Sequence, residues 1–140
     1  MKIILISCVS KKLDKKSKAG DIYISPLFRY NLKYALSLNP EKIFILSAKY
    51  GLLNLEQEIE PYNQTLNKMS SLEIKDWSSL ILKDLKKLSN LEKDEFIFLA
   101  GNNYRKYLLP YIKNYKIPLQ GLGIGKQLRF LKEKNEQNMQ

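Results

Sequence analysis

The chain has 140 residues, with 24 Lys+Arg against 14 Asp+Glu, no His and one Cys, for a formal net charge of +10. That length suits one domain, and the absence of His excludes a Ser-His-Asp triad, a Cys-His dyad and an imidazole base. Cys8 alone can form neither a Cys/His zinc site nor an intrachain disulfide, so no metal or redox cofactor is expected and a reducing, cytoplasmic setting is.

The first predicted element is a strand, Lys2 to Ser7, whose apolar run is continuous, as in strands covered on both faces. That run is shorter than the hydrophobic segment of a signal peptide. No stretch approaches the ~20 apolar residues of a membrane span, so no membrane partner is expected. Ser25 as N-cap and Pro26 in the first turn open a helix to Leu38, with Leu27, Phe28, Leu32, Ala35 and Leu36 on one face. Lys42 to Ala48 is a second strand. Ser70 and Glu73 form a capping box before a helix striped by Ile74, Trp77, Ile81, Leu85 and Leu88. A third strand spans Asp94 to Ala100. Tyr104, Tyr107, Leu108, Tyr111 and Ile112 then form a helical stripe that Pro110 should kink or split. Tyr115 to Leu119 is a weaker fourth strand, Gly125 to about Lys134 a short helix, and residues 135–140 a frayed tail. Residues 1–134 therefore read as a single α/β domain. Its expected form is a three-layer Rossmann-like fold with a mainly parallel sheet of about four strands.

Ligands of such sheets sit at the carboxyl ends of strands, so the segments after each strand carry the functional expectation. After the first come Ser7, Cys8, Ser10, Lys11 and Lys12, hydroxyls, a thiol and cations suited to a phosphate. A solvated Lys loop is the structural alternative, and a buried thiol is the commoner role for Cys8. After the second come Lys49 and Tyr50, a charge and a ring, and then Glu60-Pro61-Tyr62-Asn63. There a carboxylate, an aromatic and an amide can activate water, stack a base and bond its edge, or can form an ordinary proline turn. After the third come Gly101 and Asn102, whose backbone N–H groups can meet an anion, and Arg105 in what reads as the first turn of a helix. After the fourth comes Gly121-Leu-Gly123-Ile-Gly125-Lys126, where glycines let the backbone approach a phosphate or a base. It is neither a Walker loop nor a dinucleotide fingerprint.

Together, Ile6 to Lys12, Tyr23 to Arg29, Ile45 to Leu53 with Pro61-Tyr62, Ala100 to Leu108 and Pro118 to Leu131 resemble a family of small, largely uncharacterised bacterial and phage domains. Asn63 stands where that family more often has Asp. The family is distantly similar to the YaaA peroxide-stress proteins, associated with DNA binding, and to domains of nucleic-acid base-modification systems. Glu60 to Asn63 also resembles the Asp-Pro-Tyr-His water-activating motif of uracil-DNA glycosylases. Ser25-Pro-Leu27 resembles part of their second motif, in reverse order along the chain. These resemblances imply Glu60 or Asn63 as water-positioner and Tyr62 as base-stacking wall.

The expected function is action on nucleic acid, DNA before RNA, as a cofactor-free N-glycosidase of modified bases. Catalysis falls to Glu60 and Asn63. Ser7, Cys8, Tyr50, Tyr62, Gly101 and Asn102 form the base pocket. Phosphates fall to Ser10, Lys11, Lys12, Lys49, Arg105, Gly121, Gly123, Gly125 and Lys126. A non-catalytic YaaA-like DNA-binding stress or defence protein, and a nucleotide binder or hydrolase, are the alternatives.

Overall fold

A computed structural model of the chain describes residues 1–137. In chain order the elements are β1 (Lys2–Ser7), β2 (Ser17–Lys18), α1 (Ala19–Ile22), α2 (Pro26–Ser37), β3 (Lys42–Ser47), β4 (Gly51–Asn54) and β5 (Glu58–Ile59). There follow α3 (Ser71–Leu88), β6 (Glu95–Leu99), α4 (Asn102–Arg105), β7 (Tyr115–Lys116) and α5 (Ile124–Gln137), with 3-10 turns at Leu66–Lys68 and Leu109–Tyr111.

Five strands form one sheet in the order β4-β3-β1-β6-β7. β1 is central because it is apolar throughout, and Ile3, Ile4, Leu5 and Ile6 are fully buried. It pairs in parallel with β3 on one side and β6 on the other, and β7 continues in parallel beyond β6. The expected parallel α/β architecture is therefore present, with one addition: β4 turns back antiparallel on β3. Gly51 starts that return at φ 76°, a left-handed conformation that a side chain would strain. β2 and β5 form a separate two-stranded ladder.

Helix α2 begins as predicted, with Ser25 Oγ accepting from Phe28 N at 3.2 Å, and packs on β1 and α5. The capping box at α3 is also formed, each of Ser70 and Glu73 bonding the other's backbone N–H. Two elements differ from their sequence patterns. The stripe from Tyr104 to Ile112 is not one helix: α4 is a single turn, and Pro110 places a 3-10 turn after it that leaves Tyr111 63% exposed. The last helix runs past Lys134 to Gln137 because Asn135, read as part of a frayed tail, is buried, its Nδ2 donating to the Tyr30 carbonyl. Residues 138–140 of that expected tail lie outside the described residues.

Candidate functional site

The chain lays β3 on one side of β1 and then crosses to lay β6 on the other. The topological switch point therefore falls between β1 and β6, where loops diverge and a crevice opens at the carboxyl ends. A cleft of about 1010 Å³ lies there, ample for a nucleotide-sized ligand. Ser7, Cys8, Ser10 and Lys12 enter it from the end of β1, and Ala100, Gly101, Asn102 and Arg105 from the end of β6. Gln120, Gly121, Leu122, Ile124 and Gln127 enter from the loop after β7 and the start of α5, and Asn63, Gln64, Thr65, Asn67 and Lys68 from the loop after β5. Leu27 of α2, with Phe98, Ile117 and Leu119, gives it an apolar wall, and Asn31 of α2 also lines it.

Charge in the cleft has one sign. Lys12, Lys68 and Arg105 line it, and no Asp or Glu does. Lys12 is half-buried, its Nζ 4.3 Å from the centre of the Tyr62 ring and donating to the Ser10 carbonyl at 3.2 Å. Desolvation lowers its pKa below the ordinary lysine value. Arg105 is lowered by the same cause, and its Nη1 donates to the Ala100 carbonyl at 2.6 Å. Sequence reading put Arg105 in a helix's first turn, against the dipole. It does stand there: α4 is a single turn, so Arg105 is also its last residue, tied to the end of β6.

Buried tyrosines fix the walls. Tyr104 OH accepts from Cys8 Sγ at 3.4 Å and from Leu66 N at 3.3 Å, joining β1, α4 and the 63–68 loop. Asn103 Nδ2 donates to Asn67 Oδ1 at 2.8 Å across the same seam. Burial pushes the Tyr104 pKa up to about 12, and Tyr23 and Tyr62 are raised for the same reason, so all three hydroxyls stay protonated at neutral pH. Tyr62 OH accepts from Ser47 Oγ at 2.8 Å and lies 2.5 Å from Tyr23 OH.

Several expected site residues stand elsewhere. Tyr62 is 7% exposed and lies beneath Lys12, with the rings of Tyr23 and Tyr50 tilted against it, so it supports the floor and offers no face to a base. Glu60 is exposed and absent from the cleft lining, its carbonyl accepting from Tyr50 OH at 3.3 Å, so the expected carboxylate does not reach the site. Asn63 does line it. Lys49 and Tyr50 border a separate shallow groove of about 300 Å³ beside Trp77, because they follow β3, which lies on the side of β1 away from the switch point. Lys11, Gly123, Gly125 and Lys126 are exposed beyond the lining.

The glycines add a further indication. A Cβ at Gly101, Gly121, Gly123 or Gly125 would meet nothing within 4 Å, and only Gly121, at φ 81°, needs glycine for its backbone. Packing within the chain therefore does not account for the other three, and of these Gly101 lines the cleft, where close approach of a ligand would use its bare backbone. Sequence reading missed Asn31, Asn67 and Lys68. The last two sit in a 3-10 turn docked on α4, well beyond the end of β5 along the chain.

Fold and cleft together define an α/β protein with a cationic, carboxylate-free crevice at the switch point of its sheet. Residues 3–133 match a family described as a family of unknown function, DUF6884, and the chain belongs to it. No curated protein matches the chain. No solved structure matches it either. Among the described residues, no cluster of three or more His, Cys, Asp or Glu is placed to hold a metal ion, and no helix is long and apolar enough to cross a membrane.

Proposed function

We propose that the protein binds DNA and receives one nucleotide unit in the cleft, its phosphate against Lys12, Lys68 and Arg105 and its base among carboxamides. One observation carries this reading: the cleft is lined by three cations, by Asn31, Asn63, Gln64, Asn67, Asn102, Gln120 and Gln127, and by no carboxylate. Carboxamides both donate and accept, as base edges require, and a carboxylate-free lining does not repel a phosphate. The net charge of +10 favours a polyanion over an isolated nucleotide. The resemblance to YaaA-like proteins, associated with DNA binding, points the same way.

Asn63 favours base release as a second reading. Its side chain can orient a water toward C1′ of a seated nucleotide. Cleavage breaks the C1′–N bond, joins the water oxygen to C1′ and leaves the water's proton with the departing base. Negative charge building on that base would be stabilised by the cleft's cations and N–H donors. Glu60, outside the cleft, takes no part.

Gel shift of labelled single- and double-stranded DNA tests the first reading. Binding is expected at low salt and should fall steeply as salt rises. No shift with either strand state overturns it. Incubation with DNA carrying a panel of modified bases, followed by mass spectrometry, tests the second. Released base that disappears in Asn63→Ala while the shift persists supports it, and no release from any substrate overturns it.

A further inference from the structure

Asn31 lies on α2, and by sequence it belongs to a helix face that packs on the sheet. It is only 6% exposed, yet it lines the cleft beside Leu27, which precedes it by one turn on the same face. Its Oδ1 is shut from water and has no hydrogen-bond partner among the described residues. An acceptor in that condition destabilises the folded chain, because water is lost and nothing replaces it. The other acceptors beside the cleft differ. Tyr104 OH, Ser7 Oγ and the Ala100 carbonyl all have donors.

We infer that Asn31 is a base-recognition residue, its Oδ1 accepting from an N–H of the seated base. The inference rests on the nucleotide reading above and adds to it which end of the ligand goes where. Asn31 interrupts the apolar wall of Leu27, Phe98, Ile117 and Leu119, a surface suited to a flat ring. Lys12, Lys68 and Arg105 belong to the β1, β5 and β6 loops and suit the phosphate. A base whose amino or imino N–H meets Oδ1 relieves the unpaired acceptor, while an analogue lacking that donor leaves it buried and unpaired. Sites of this kind discriminate strongly, since the penalty falls on the wrong ligand alone. Turning the amide about its terminal torsion, which is broad, exchanges Oδ1 with Nδ2 and presents the acceptor to the cleft.

Ser78 supplies the control. Its Oγ is also buried without a partner, but it sits on α3 outside the cleft lining. Titration calorimetry of dAMP, dCMP, dGMP, dTMP and 2-deoxyribose 5-phosphate into the wild type, Asn31→Leu and Ser78→Ala, with thermal melts of each, separates the outcomes. Wild type is expected to bind at least one nucleotide about 10-fold or more tighter than the sugar phosphate. Asn31→Leu should bring that ratio near one, leave sugar-phosphate affinity unchanged and raise Tm by about 3 °C or more, since a misfit acceptor has gone. Ser78→Ala should also raise Tm and should keep the wild-type ratio. An Asn31→Leu protein that keeps the ratio, or melts below wild type, overturns the role of Asn31 while leaving nucleotide binding intact. Equal binding of sugar phosphate and every nucleotide by wild type overturns base recognition and keeps the phosphate site. Binding of none overturns this inference, and the gel shift decides separately whether DNA binding stands.

Discussion

Trp77→Ala is expected to destabilise the protein by about 3–5 kcal/mol, enough to remove much of the stability of a domain this size. The ring is 8% exposed and stands edge-on to Tyr104, with centroids 5.7 Å apart at 89°. Its Nε1 donates to the Ser47 carbonyl at 2.9 Å, at the last residue of β3. Removal thus leaves a cavity between α3 and the sheet and an unpaired carbonyl at a strand end. Trp77→Phe keeps most of the volume and loses only the donor, so its cost should be about 1–3 kcal/mol. Urea denaturation of the three proteins checks the order. Because Tyr104 also holds Cys8 and Leu66, Trp77→Ala should weaken DNA binding as well, through loss of the 63–68 wall. Equal stability of Trp77→Ala and wild type would remove α3 from the account of how the cleft is held.

The second large effect is on binding. Replacing Lys12, Lys68 and Arg105 together by Gln should lower affinity for DNA by about three orders of magnitude at low salt, since each charged contact to a phosphate is worth roughly 1.5 kcal/mol. The dependence of affinity on salt should flatten by about one counterion per lost phosphate contact. A matched variant with Lys86, Lys93 and Lys132 changed to Gln carries the same net charge but alters exposed sites outside the cleft. It should retain most of the affinity. If the two triple variants lose affinity equally, the excess charge acts as a diffuse cloud and the cleft has no special claim on the phosphate.

The sequence carried the fold where burial is symmetrical and local. β1, β3 and β6 are apolar on both faces, so their runs are continuous and each lies within a residue of its predicted limits. β4 was invisible because Gly51-Leu-Leu-Asn54 is short and follows a turn. What makes it a strand is antiparallel pairing with β3, a tertiary fact. The stripe from Tyr104 to Ile112 is split, as Pro110 predicts. Its spacing is helical, but Pro110 has no N–H to continue the ladder, so the stripe resolves into two short turns.

The site divides in the same way. Looking after each parallel strand found Ser7, Cys8, Ser10, Lys12, Gly101, Asn102, Arg105 and Gly121, since the carboxyl ends of β1, β6 and β7 do converge. It took in Lys49 and Tyr50, which stand apart because β3 lies on the side of β1 away from β6. It also misassigned Tyr62, whose flanking proline and polar neighbours concealed a buried ring. Asn31 left no local signal at all. An Asn on a buried helix face reads as core until its oxygen is found without a partner.

DNA is proposed to meet this protein at the switch-point cleft. A ¹⁵N–¹H correlation titration of the labelled protein with a short single-stranded deoxyoligonucleotide at low salt addresses this most directly, because it reports each backbone amide separately. The largest shift changes are predicted in residues 7–12, 27–31, 63–68, 100–105 and 119–127, the segments that supply most of the cleft lining. Changes confined to the Lys-bearing face of α3, around Lys83, Lys86 and Lys87, or no changes at all, would contradict it.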